Sequence, residues 1–261
     1  MAAVAALLAA VTPAAAQDWP SRPVTMVYPF AAGSAADVMG RLLASRLSDL
    51  LGQSVVFENV GGAGGMIGSN RVAKAPPDGT QFVLGGTFMA LGQTLYKNPL
   101  YNLATDFTPV MLIVEQPVVL ITRKDLPANN LSEFIAFAKA NQAKMQYASG
   151  GVGSMPHLAC ELLNRAIGVT TTHVPYRGGG PLLPDLIAGR VDYFCALAAT
   201  AIPQVESKAV KAIAVFANGG LPVLPNLASA HAQGLTDFEV NPWYAFYLPK
   251  ATPTPGLFNA L

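Results

Sequence analysis

Apolar and polar positions along this chain alternate between two periods. Short, almost wholly apolar runs such as VTMVY (24–28), SVVFE (54–58) and QFVLGG (81–86) read as buried strands, because such runs between turn signals suit a sheet covered on both faces. Between the first two runs, Met39, Leu43, Leu47 and Leu50 recur every three or four residues, which predicts a helix. Gly52 is its natural stop, and Asp37 sits where a carboxylate caps free amides. GGAGGMIG (61–68) leads into a second helix, which the PPDG turn ends. FTPVMLIVEQPVVLITRKDLP (107–127) reads as two extended pieces divided at Gln116 and Pro117. NNLSEFIAFAKAN (129–141) then opens a helix, with Asn130 and Glu133 at capping-box spacing. The strand and helix rhythm restarts with MQYAS, a helix from about Pro156, TTHV, the loop PYRGGGP, VDYF and KAIAVF. A last extended piece runs through NPWYAFYLP.

Two blocks of alternating strands and helices joined by extended connections predict an α/β protein of two Rossmann-like lobes with a ligand cleft between them. The expected division is 17–122 together with 241–261 for the first lobe and 123–240 for the second. The extended pieces near Ile113 to Arg123 and Asn241 to Leu248 are the natural crossings.

Composition narrows the class. Hydrophobic residues make up 52% of the 261 and charged ones 12%, which suits buried parallel strands. A formal charge of +1 with no basic cluster argues against nucleic acid or an anionic membrane as partner, so an anion would be held by local dipoles. The opening MAAVAALLAAVTPAAAQ has the length of a signal-peptide core and a small-residue processing site after Ala16. The expectation is an exported, periplasmic, monomeric protein, residues 1–16 being removed. Cys160 and Cys195 form a disulfide or stay as two buried thiols. Neither a CxxC nor a His/Cys cluster offers a metal site, and no cofactor is called for.

Three loops share one design, in which a strand ends, small residues follow and a helix begins: PFAAGSAAD (29–37), GGAGGMIG and SGGVGSMPH (149–157). Glycine lets backbone approach a ligand, and a helix start presents unpaired N–H groups with a partial positive potential. Nucleotide binding fits poorly, since Gly62, Gly64 and Gly68 miss the dinucleotide spacing by one residue and PFAAGSAAD lacks a P-loop lysine. The catalytic alternative is an exported serine hydrolase using Ser154 or Ser149 with His157. No G-x-S-x-G elbow and no orienting acid accompany them, and Ser154 reads more simply as a helix cap. His173 falls in a strand and His231 in a surface helix. Tyr176 and Arg177 in HVPYRGGGP could line the cleft, and Trp243 with Tyr244 could close over a ligand.

Five ordered stretches carry a family resemblance: RPVTMVYPFAAGSAADVMGRLLA, VVFENVGGAGGMIGSNRVAKAPPDG, YASGGVGSMPHLACELL, HVPYRGGGPLLPDLIAGRVDY and LPNLASAHAQGL. Together they resemble the Bug-type extracytoplasmic receptors of tripartite tricarboxylate transporters, over essentially the whole chain after residue 17. The resemblance implies a periplasmic binding protein type II-like fold that closes on a small organic carboxylate and delivers it to a membrane permease. It implies a two-loop clamp made by Phe30, Ala31, Gly33 and Ser34 on one side. Ser149, Gly150, Gly151, Gly153, Ser154 and His157 form the other side. Asp37, Gly64, Gly65, Tyr176 and Trp243 complete the expected ligand-binding set. Where the family carries Gly-Gly and a hydroxyl before the aspartate, this chain reads Gly33, Ser34, Ala35, Ala36. Where the family often has an aspartate after VDY, it reads FCALAAT, which makes the pocket less polar and points to a ligand with an apolar or aromatic body. The family also continues some tens of residues past the point where this sequence ends.

Overall fold

Val24, Met26 and Val27 are completely buried, as a strand covered on both faces requires, and they open the fold as β1 (Val24–Tyr28). The computed structural model describes residues 19–253. The expected signal segment 1–16 and the terminal residues 254–261 lie outside it. After β1 come α1 (Ala35–Leu51), β2 (Val55–Asn59), α2 (Met66–Ala73), β3 (Gln81–Gly86), α3 (Thr87–Leu95), α4 (Leu103–Asp106) and β4 (Phe107–Glu115). Then follow β5 (Val118–Arg123), α5 (Leu131–Asn141), β6 (Gln146–Ser149), α6 (Met155–Ile167), β7 (Thr172–Pro175) and α7 (Gly179–Ile187). The described chain ends with β8 (Tyr193–Leu197), α8 (Ala198–Glu206), β9 (Val210–Val215) and β10 (Trp243–Pro249). Among these described residues no helix is long and apolar enough to cross a membrane.

The strands form two five-stranded sheets of matching plan, β2-β1-β3-β10-β4 and β7-β6-β8-β5-β9. In the first, β1 runs parallel to β2 and β3, and β10 closes antiparallel against β3 and β4. In the second, β6 runs parallel to β7 and β8, and β5 is antiparallel to β8 and β9. The second sheet uses five consecutive strands, β5 to β9, while the first takes β1 to β4 and receives β10 from the far end of the described chain. Because β5 pairs in the second sheet, residues 118–122, expected in the first lobe, sit in the second. The chain crosses at Gln116 and Pro117, where proline interrupts the ladder.

Local sequence explains most boundaries. Gly52 adopts φ 63° and ends α1. The Asn130 carboxamide accepts from Glu133 N–H at 2.9 Å, and the Glu133 carboxylate reaches back to Asn129 N–H at 2.8 Å, so the capping box forms one residue wide of its usual register. His231, read as helical, lies in a run of turns. The first lobe is packed by aromatic pairs such as Phe82 with Phe246, edge to face at 5.1 Å between ring centres. In the second, Cys160 of α6 and Cys195 of β8 are bridged, with Cα atoms 5.5 Å apart.

The two crossings run side by side. Gln116 N–H donates to Pro242 O at 3.0 Å and Val118 N–H to Val240 O at 3.1 Å. The start of α8 is tied to the same place, with Ala198 N–H donating to Pro117 O at 2.9 Å and Ala199 N–H to the Gln116 side chain at 3.1 Å.

Candidate functional site

Parallel strands end where their following helices begin, and in both sheets those ends face the other lobe, as the switch-point rule for open α/β sheets requires. The lobes touch there. Ala31 N–H donates to Arg177 O at 3.0 Å, and the Tyr96 hydroxyl donates to Val152 O at 2.6 Å. The contact depends on missing side chains: a Cβ on Gly64 would lie 2.0 Å from Val152 O, and one on Gly180 2.1 Å from Ala32 O.

Behind these contacts lies a cavity of about 50 Å³. Its polar end is assembled from both lobes. Ser34 stands at the start of α1, Gly150 and Ser154 before α6, and Gly178 and Gly179 at the start of α7. Ser34 accepts from Asp37 N–H at 3.2 Å and so caps its helix. Ser154 holds the cap position of α6 but turns its hydroxyl away, donating to Gly151 O at 2.7 Å, which corrects the expectation that it caps. The first-turn amides of α6 are left free of it. Gly178 has no side chain with which to cap α7. Three helix starts therefore converge on one cavity, each bringing a partial positive charge. Among the described residues no Lys, Arg or His lines it. The remaining wall is apolar and aromatic, with Phe30, Phe88, Trp243 and Tyr244 prominent.

Of the expected set, Phe30, Ser34, Gly150, Ser154 and Trp243 line this cavity. The others stand one layer behind, and their polar groups are already engaged. Gly33 N–H donates to the Asp37 carboxylate at 3.1 Å, which also accepts from Asn59 at 2.9 Å and Arg41 at 3.1 Å. Burial pushes the Asp37 carboxyl upward, but the bonds from Gly33, Asn59 and Arg41 outweigh it and hold the group below the usual range. Ala31 is committed to the lobe contact, Gly64 abuts Val152, and Gly65 packs under Phe88 and Phe30. Gly151 N–H donates to the Ser149 hydroxyl at 3.0 Å, Gly153 N–H to Nδ1 of His157 at 3.4 Å, and the Tyr176 hydroxyl to Asp185 at 2.7 Å.

The catalytic alternative does not assemble. Ser149 is 0% exposed and meets Nε2 of His173 at 2.6 Å, not His157. His157 instead lies against His173, with ring centres 4.5 Å apart, and Glu161 is bonded by the Tyr147 hydroxyl. Burial pushes His157 below its ordinary pKa, and burial aided by His157 pushes His173 down to about 4, so both rings stay neutral near pH 7.

Sequence reasoning missed Tyr28, Phe88 and Thr200 as lining residues, named Tyr244 with Trp243 as able to close over a ligand, and left Gly178 and Gly179 as one option for PYRGGGP. Tyr28 is the last residue of β1, Phe88 the second beyond β3, and Thr200 the third beyond β8. Position relative to a strand's carboxyl end was the available signal.

Residues 39–258 match the tripartite tricarboxylate transporter family receptor. The chain belongs to this receptor family. The receptor is 40% identical over 243 residues to the UPF0065 protein in the TAR-I ttuE-ttuC' intergenic region of Agrobacterium vitis, spanning 93% of this chain and 70% of that relative. Its fold matches the periplasmic binding protein BugD with a TM-score of 0.90 at 40% identity, covering 93% of this chain and 81% of that one. It matches MatC of Rhodopseudomonas palustris, solved with bound malate, with a TM-score of 0.89 at 37% identity, covering 93% and 83%. The family and these neighbours are solute-binding proteins and not enzymes, which removes the hydrolase reading. The two-lobe, periplasmic binding protein-like architecture of the receptor is that of BugD and MatC.

Proposed function

We propose that this receptor captures a small organic carboxylate between its lobes in the periplasm and presents it to a permease of the tripartite tricarboxylate type. The observation that carries the reading is the convergence of α1, α6 and α7, by their N-terminal ends, on a cavity lined by no basic side chain. Three helix starts together supply on the order of 3 kcal/mol toward an anion, about a hundredfold in affinity. Ser34 and Gly150 meet the carboxylate, while Ser154, whose N–H and hydroxyl both donate to Gly151 O, shapes the loop beside them. Phe30 and Trp243 flank its body. The remaining expected residues hold these in place: Asp37 through Gly33, Ser149 through Gly151, and His157 through Gly153. The malate found in MatC, a relative of matching fold, supports the carboxylate class.

Calorimetric titration of the purified protein with mono-, di- and tricarboxylates tests this. One or more should bind with saturable heat, and affinity should change little between pH 6 and 8, because amides and hydroxyls do the holding. A folded, ligand-free protein that binds none of them would refute the reading, and a steep loss of affinity across that pH range would shift the holding role to His157.

A further inference from the structure

We infer that the ligand of this cavity is a monocarboxylate with a flat apolar body, its carboxylate at the helix starts and its body between the aromatic walls. The inference rests on the carboxylate reading and narrows it. The starts of α1, α6 and α7 are gathered at one rim. A Cβ on Gly150 would stand 3.6 Å from Gly178 Cα and 3.7 Å from Ser154 Oγ, and one on Gly179 would stand 3.5 Å from Ser34 Cβ, so these groups form one continuous rim. That rim fits one carboxylate.

Two further helices, α3 and α8, start at the cavity wall with Phe88 and Thr200 in their first turns, but both starts are covered: a Cβ on Gly86, just before α3, would lie 2.4 Å from Trp243 O. Thr200 of α8 lines the wall, but the Ala198 and Ala199 amides of that helix are bound to Pro117 O and the Gln116 side chain. The Tyr28 hydroxyl lies 3.4 Å from Ser34 Oγ, and Tyr28 and Tyr244 stay protonated because burial drives their pKa values upward. A second carboxylate would be buried with no cation and no open helix start beside it, only the neutral hydroxyls of Tyr28, Thr200 and Tyr244, and its burial costs more than these return.

Next to the rim the wall is an aromatic surface, ordered at Phe30 and Phe88. Phe30 and Phe88 meet edge to face at 5.0 Å, and both press on Gly65, where a Cβ would lie 2.9 Å from the Phe88 ring and 3.1 Å from the Phe30 ring. The Trp243 backbone N–H donates to Thr87 Oγ1 at 2.9 Å, which anchors the main chain from which its ring projects. Such a wall is already ordered, so a ligand that stacks on it loses little further freedom. With about 50 Å³ in the closed cleft, a flat body is admitted with the smallest parting of the lobes.

The experiment is a calorimetric series with benzoate, hexanoate, malate, adipate and benzyl alcohol, on the wild-type protein and on Phe88→Ala, Phe88→Leu and Trp243→Ala, each checked for folding by circular dichroism. Benzoate should bind at least tenfold more tightly than malate or adipate, and benzyl alcohol should give no measurable heat. Each folded variant should lose at least tenfold for benzoate and less than threefold for hexanoate. Phe88→Leu keeps the test valid if Phe88→Ala misfolds. Malate or adipate binding more tightly than benzoate overturns this inference and leaves the carboxylate reading standing. Benzyl alcohol binding as tightly as benzoate overturns the assignment of the rim to an anion. Binding of none of the four acids to folded protein overturns both.

Discussion

In the first lobe β1 is followed by Ser34 and α1, in the second β6 is followed by Ser154 and α6, and the two serines use their hydroxyls in opposite senses. Ser34 accepts from its own helix, while Ser154 donates back into the loop and leaves its helix uncapped. The same division runs through the rest of the cavity wall. The first lobe contributes Tyr28, Phe30 and Phe88, whereas the second contributes most of the glycine and helix-start rim. Both interiors pack rings edge to face, Phe82 with Phe246 in the first and Phe134 with Tyr193 in the second, and the second adds the Cys160–Cys195 bridge. One topology used twice thus supports two chemistries, because the loops after parallel strands vary without disturbing the sheet beneath them.

The comparison breaks most visibly at the disulfide. Cys160→Ala with Cys195→Ala opens a loop of sequence separation 35, and on chain entropy the second lobe should lose about 3–4 kcal/mol. Urea unfolding followed by a probe in each lobe should show the second transition moving to lower denaturant and the first unchanged. A uniform shift of both would mean that the lobes unfold as one unit.

Gly64→Ala strikes the contact instead of either interior. The new methyl would meet Val152 O, and φ of 61° disfavours it further, so ligand affinity should fall about 30–100-fold, on the order of 2–3 kcal/mol. The variant's melting temperature should fall by only a few degrees. Unchanged affinity in calorimetry would show that the lobes need not meet at Gly64.

Protonation distinguishes the lobes next. His173 is held near pKa 4 in the folded second lobe against 6.5 when unfolded, so unfolding takes up a proton in that window. The stability from keeping the ring neutral is complete above pH 6.5 and is lost as pH falls toward 4, on the order of 2 kcal/mol. Thermal melts from pH 8 to 4 should show the fall in the second lobe. In a His173→Gln variant that fall should be smaller. The smallest effect belongs to Tyr96→Phe, which removes one bond between the lobes and should weaken ligand binding by about three- to tenfold with each lobe as stable as before.

Much of this architecture is legible in the sequence because it is local. VTMVY and QFVLGG coincide with β1 and β3, Gly52 ends α1, and Asn130 caps α5. What escaped is long-range. The sheet to which β5 belongs is set by Ala196 and Val215, partners far along the chain, and α3 starts directly from the last glycine of β3 without a capping signal. For the site, the glycine loops were legible as loops, but which amides stay free was not. Gly33, Gly151 and Gly153 look as available as Gly150 until Asp37, Ser149 and His157 are seen to occupy them. Phe88 resembles any buried aromatic, and only the meeting of two lobes brings it to the cavity wall.

The paired crossings at Gln116–Pro117 and Val240–Pro242 carry a last consequence. Two strands bound side by side make a spine that swings like a book's and resists twisting or sliding. Under the proposed function, every captured carboxylate would be translated into the same single coordinate, the angle between the covers. A surface that recognises the shut volume reads that angle, and has no need to read the page inside.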